Sequence, residues 1–150
     1  MRFPMEQTCP KIYPSYKVPK YCYNKCTTII AVITNEASKA KIISVTLDAE
    51  LISPESVHWE IGSAFSAMFK RQMVTLEQAQ SALKIYEKIP IRFVNIDLGI
   101  SLSIASANKI YAYDAYLISC AIENKSPLLT LDKHLADVSE QNGVEVLRID

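Results

Sequence analysis

Glu60, Asp114 and Asp132 stand where an apolar residue, or the end of a buried strand, would be expected. Val57, Ile61, Ala64, Phe65 and Met68 recur at spacings of three and four, which marks one buried helical stripe. Glu60 falls within that stripe, where a carboxylate loses its hydration unless a cation or hydrogen-bond donors replace it. Asp114 opens a second stripe, followed by Leu117, Ile118 and Ala121. Both acids occupy the first turns of their helices. The backbone dipole there favours an anion by roughly 0.3 to 1 kcal/mol, little against the several kcal/mol that desolvating an ion costs. Asp132 follows Leu128-Leu129-Thr130-Leu131 and so emerges where a buried strand ends, the edge at which open parallel sheets collect ligands. Converging there, the three acids would make an anionic, oxygen-rich pocket suited to Mg²⁺ or Mn²⁺. Beside a phosphodiester, such an ion can activate water and stabilise the charge on the leaving oxygen.

Each acid also has an ordinary structural role open to it. Glu60 could pair with a nearby Lys or Arg, and Asp114 could be a partly exposed first-turn acid. Asp132, before Lys133-His134-Leu135, could cap the last helix, and its local sequence favours that role. His134 reads as exposed, with no general-base partner, and Trp59 and Tyr116 read as packing residues.

The elements that must position these acids alternate short apolar runs with longer helical segments, the pattern of a parallel sheet covered by helices. The strand candidates are 21–23, 49–53, 91–95, 128–131 and 144–149. Helices are expected over 27–33, 36–43, from Ser53-Pro54 as N-cap and first helical residue to about Gln72, from Thr75 to Lys88, from Asp97 to Ala107, over 113–123, and after Asp132. Thr75 with Gln78 reads as a capping box.

The chain has 150 residues, 49% hydrophobic and 21% charged, enough to bury the core of one domain. Its formal net charge is zero, so any contact with a polyanion must be local. Four of the seven prolines (Pro4, Pro10, Pro14, Pro19) fall in the first twenty residues, which carry a net charge of +3 against −3 for the rest. We read residues 1–20 as a Pro-rich basic extension and 21–150 as the domain. Tyr13, Tyr16, Tyr21 and Tyr23, in and just after the extension, interleave with its lysines, a mixture able to stack on single-stranded RNA, although such a segment can equally be extended chain lying on the body. Cys9, Cys22, Cys26 and Cys120 are too few and too uneven for a disulfide scaffold, and the Cys22/Cys26 pair has no second Cys/His pair to complete a zinc site. No apolar run reaches the length of a membrane span and no secretory leader is evident, so a soluble, cytoplasmic protein is expected, with no membrane contact. The three glycines Gly62, Gly99 and Gly143 form no phosphate-cradling loop, which argues against a nucleotide-binding domain.

The first strand ending at residue 24, the helix start from Pro54 to Glu60, the run Tyr113-Asp114-Ala115-Tyr116-Leu117 and the segment Pro127-Leu128-Leu129-Thr130-Leu131-Asp132 together resemble the PIN-domain ribonucleases, in particular VapC-type toxins of toxin-antitoxin pairs. The resemblance implies a three-layer α/β/α PIN-like fold with a central parallel five-stranded sheet. It also implies a metal-dependent endoribonuclease in which Glu60, Asp114 and Asp132 hold Mg²⁺ or Mn²⁺. The fourth family position falls on Asn24, where the family has Asp, and Cys26 stands where Ser or Thr is usual. Asn24 would bring a neutral carbonyl oxygen, leaving three negative charges on the cation and a lower affinity. The extension before residue 21 also departs from the family pattern. The implied partners are single-stranded or structured RNA, a cognate antitoxin covering the pocket, and a second copy in a homodimer. Lys133, His134 and the lysines of the extension are candidate phosphate contacts. Asn24 also keeps a rival open: a degenerate PIN module that binds RNA or a protein without cleaving.

Overall fold

The structure, a computed structural model, describes residues 20–23 and 26–149, with side chains for 28–149. Asn24, the extension before residue 20 and the side chains of Cys22 and Cys26 lie outside the described residues. Five short strands, β1 (Lys20–Tyr23), β2 (Glu50–Pro54), β3 (Ile91–Val94), β4 (Leu128–Thr130) and β5 (Val146–Arg148), are joined by helices. Helices α1 (Cys26–Ile33) and α2 (Lys39–Thr46) connect β1 to β2, while α3 (Ser56–Lys70) and α4 (Leu76–Tyr86) connect β2 to β3. The connection from β3 to β4 holds α5 (Leu98–Asn108) and α6 (Ala112–Asn124), and α7 (Lys133–Gln141) leads to β5.

The strands hydrogen-bond in the order β3-β2-β1-β4-β5, every adjacent pair parallel. The chain first builds outward from β1 through β2 to β3, then returns across β1 to lay down β4 and β5. The direction of growth thus reverses between β1 and β4, a topological switch point, the place beside which open α/β sheets bind ligands.

Alternation along the strands divides the core in two. Leu51 and Leu129 pack into one cluster with Ile29, Ile42, Val57, Ile61, Phe65, Ala79 and Ala82 from α1 to α4. Ile52 and Leu128 pack into the other with Leu117, Ile118, Ala121, Leu135 and Val138 from α6 and α7. Each such Leu or Ile gains about 1.5 to 3 kcal/mol from burial, so the two clusters clamp the sheet between helical layers.

Local signals set several boundaries as the sequence implies. Thr75 and Gln78 form the capping box, Gln78 N donating to Thr75 Oγ1 at 3.2 Å and Thr75 N to Gln78 Oε1 at 2.8 Å. Asp97 Oδ1 accepts from Ile100 N at 2.9 Å and caps α5. Beyond α7, Gly143 takes φ +79° while Val144 N donates to Ser139 O and Gly143 N to Glu140 O, the glycine-terminated helix end of a Schellman motif.

Two expectations are corrected. Ser53 and Pro54 do not start a helix: they continue β2, aligned with Phe93 and Val94 of β3, and α3 begins at Ser56 after Glu55. On the β1 side, the register runs only from Lys20–Cys22 against Glu50–Ile52, so Pro54 lies past it and its missing N–H breaks no ladder there. The helix expected over 36–43 instead spans 39–46. Asn35, at φ +62°, ends α1 with Glu36 N donating to Ala31 O, so residue 36 belongs to a helix terminus rather than to a helix start.

Candidate functional site

The connectivity brings the three acids to one edge of the sheet. Helix α3 leaves the carboxyl end of β2, and Glu60 is its fifth residue, so it lies past the first turn expected for it because α3 begins at Ser56, whereas Asp114 does lie in the first turn of α6. Helix α6 leads into the amino end of β4, so it starts at the carboxyl edge, and Asp114 is its third residue. It packs across β1, β2 and β4. Asp132 lies two residues past the end of β4, immediately before α7.

Their environments differ. Glu60 is 9% exposed, in line with its place in the Val57/Ile61/Phe65 stripe, and its Oε1 is a buried atom. Asp114 is half-buried with Oδ1 buried, while Leu117, Ile118 and Ala121 beyond it are enclosed. Asp132 is half-buried and caps α7: its Oδ1 accepts from Leu135 N at 3.1 Å, and its own N–H donates to Thr130 Oγ1 at 2.8 Å. The buried Thr130 hydroxyl thus holds the Asp132 backbone in the extended conformation that aims the carboxylate back over the helix start. Other groups engage all three acids as well.

The structure therefore brings Glu60, Asp114 and Asp132 to a common edge, with Asp132 also performing the capping role open to it. Among the described residues, no three His, Cys, Asp or Glu side chains cluster tightly enough to hold a metal ion by themselves. Asn24, the fourth position of the expected ligand set, lies outside the described residues. The donor chemistry of these three acids nevertheless fits a hard divalent cation: carboxylate oxygens, with one oxygen of Glu60 and one of Asp114 buried.

Around the edge, Lys133 and His134 are exposed. Asp132 and Lys133 line a small hollow of about 50 Å³ together with Thr130, Ala136 and Arg148. The Arg148 guanidinium binds Asp137 at 2.8 Å and Glu140 at 3.0 Å, and those hydrogen bonds push its pKa upward. Trp59 is not a packing residue. It is 68% exposed, because it lies about 180° around the helix from the buried stripe. Tyr116 is half-buried and meets Tyr113 edge-on, ring centroids 5.7 Å apart.

His58 belongs to no motif in the sequence. Its Nδ1 lies 2.8 Å from the Tyr86 hydroxyl and its ring 4.2 Å from that of Phe93, tying α3 to α4 and β3. Burial pushes the Tyr86 hydroxyl up to about 12. No short-range pattern could have shown this contact, because the partners are 28 residues apart.

A parallel sheet covered by helices, with three carboxylates on elements that meet its carboxyl edge, defines an α/β domain. The PIN domain family profile matches residues 27–141, most of the chain. The chain belongs to the PIN domain family, whose members are generally divalent-metal-dependent nucleases. No curated protein matches the sequence. Among solved structures, the fold is similar to that of VapBC2 from Rickettsia felis bound to a DNA fragment from their promoter. That match has a TM-score of 0.66 at 14% identity and covers 87% of this chain and 99% of that chain. PAE2754 from Pyrobaculum aerophilum is similar with a TM-score of 0.60 at 16% identity, covering 87% of this chain and 91% of that one. A domain of a functionally unknown protein from Methanocaldococcus jannaschii gives 0.51 at 20% identity, covering 88% and 91%. At these identities the likeness is one of fold. No helix among the described residues is long and apolar enough to cross a membrane.

Proposed function

We propose that this protein is a metal-dependent endoribonuclease of the toxin type, built on a three-layer PIN-like fold over residues 21–150. Glu60, Asp114 and Asp132 would hold Mg²⁺ or Mn²⁺, with Asn24 adding a neutral amide oxygen. The observation that carries this reading is the placement of three carboxylates from three separate elements at one sheet edge, two of them with buried oxygens. When bound, the cation supplies positive charge for the phosphodiester and acidifies water for attack on phosphorus. The chain's own part is to present the oxygens. The α3 stripe holds Glu60 inward, the first turn of α6 sets Asp114, and Thr130 with the Leu135 amide fixes Asp132. Lys133 and His134, exposed and next to Asp132 in the chain, are the proposed contacts to substrate phosphates. The proposed substrate is RNA, single-stranded or structured. The proposed partners are a cognate antitoxin and a second copy of the chain, in keeping with the fold shared with a VapBC2 complex.

Asn24 favours a second reading, a module that binds RNA or a protein without cleaving. Incubation with single-stranded RNA and Mn²⁺, with and without EDTA, separates the two when run beside Asn24→Asp and Asp114→Asn. Cleavage by the parent, lost with EDTA and in Asp114→Asn, supports the nuclease. Cleavage that arises only in Asn24→Asp supports the binding module.

A further inference from the structure

Two hydroxyls at the same edge have no partner. Thr28 is 0% exposed and its Oγ1 is buried without a hydrogen bond, as is the Oγ of Ser56. A buried hydroxyl left unsatisfied is costly, and native proteins rarely keep one without an ordered water or ligand to meet it. Neither lies at random in the fold. Thr28 is the third residue of α1, the helix that leaves the carboxyl end of β1, and Ser56 is the first residue of α3, which leaves the carboxyl end of β2. Those strands are neighbours and α1 packs against α3. Ser56 stands four residues before Glu60, on the same face of α3, and that face is turned away from the His58 side, which meets α4 and β3.

We propose that Thr28 and Ser56 are positioning residues of the cation site, meeting the outer water shell of a hydrated divalent ion held by the acidic edge. This inference rests on the reading of the site given above. Mg²⁺ keeps several of its waters when protein-bound, and those waters donate hydrogen bonds to nearby oxygen acceptors, charged or neutral. Hydroxyls set in the first turns of two adjacent helices supply such acceptors without adding repulsion between carboxylates. Outer partners of this kind orient the charged ligands and raise affinity. They would matter more in a chain whose fourth position is Asn24 rather than an acid. Ser126 provides an internal control, because its Oγ is equally buried and unpartnered but it follows α6 at the opposite edge of the sheet.

The test is thermal melting of the full chain in EDTA and across a Mn²⁺ titration, for the parent, Thr28→Val, Thr28→Ser, Ser56→Ala, Ser126→Ala and Asp114→Asn. In EDTA, Thr28→Val and Ser126→Ala should each melt about 2 to 4 °C higher, because an unsatisfied hydroxyl is gone. Thr28→Val and Ser56→Ala should then need roughly tenfold more Mn²⁺ for half of the stabilisation. Thr28→Ser and Ser126→Ala should titrate like the parent. If the parent responds to Mn²⁺ but Thr28→Val and Ser56→Ala titrate at the same concentration, the positioning role is overturned and the cation site stands. If the parent, like Asp114→Asn, shows no response, the cation site itself fails and the positioning role fails with it.

Discussion

Replacing Asp132 two ways separates its work as a helix cap from its work at the site. Asp132→Asn keeps a side-chain oxygen able to accept from Leu135 N, a bond now 3.1 Å long, and Asn caps as well as Asp. The charge is lost, and with it the roughly 0.3 to 1 kcal/mol that an anion gains at a helix start. Asp132→Ala loses the cap as well, costing about 1 kcal/mol and within 0.5 to 2. For a chain of this length each kcal/mol lowers the melting temperature by about 2 to 4 °C. Circular-dichroism melts should therefore rank parent, Asp132→Asn and Asp132→Ala in falling order, with Asn close to the parent. Mn²⁺-dependent RNA cleavage should instead be lost equally in both variants, because each removes a negative charge from the cation. Cleavage retained by Asp132→Asn would reduce Asp132 to a cap. An Asp132→Ala protein that melts with the parent would refute the capping argument.

Further expectations follow from the packing. Tyr86 is held at about 12 in the fold against an ordinary value of 10, so the native state keeps its proton when the unfolded chain has lost it. That stabilisation is whole below pH 10 and fades as pH rises from about 10 to 12. Urea unfolding of the parent across that window should weaken more steeply than that of Tyr86→Phe. Thr75→Ala removes one half of the capping box and should cost about 1 kcal/mol in urea unfolding without changing cleavage. Leu117→Ala, at a site with no exposure between α6 and the sheet, should cost about 2 to 5 kcal/mol. Gly143→Ala has open space for its methyl group but a backbone at φ +79°, so about 1 kcal/mol of strain should appear in melts with no change in Mn²⁺ response.

Much of this arrangement is legible in one dimension because the decisive signals are local. The three-and-four spacing from Val57 to Phe65 places Glu60 in the core, and the run Leu128 to Leu131 puts Asp132 at a strand end. Thr75 with Gln78, and Asp97 before Leu98, are helix starts written in single side chains. The same helical geometry that buries Glu60 also turns Trp59 outward, a consequence readable from the stripe that the packing expectation overlooked. What local pattern could not show depends on distant partners. Ser53-Pro54 carries a good N-cap signature, but β3 recruits those residues into the sheet. The His58–Tyr86 contact and the two orphan hydroxyls likewise exist only once α1, α3 and α4 are assembled.

The most direct measurement is anomalous diffraction at the manganese edge from crystals grown with Mn²⁺. The account expects a peak at the carboxyl edge of the sheet, bordered by oxygens of Glu60, Asp114 and Asp132, and its loss in Asp114→Asn. A fully ordered structure at saturating Mn²⁺ with no peak there, and the three carboxylates each turned to separate protein neighbours, would contradict it.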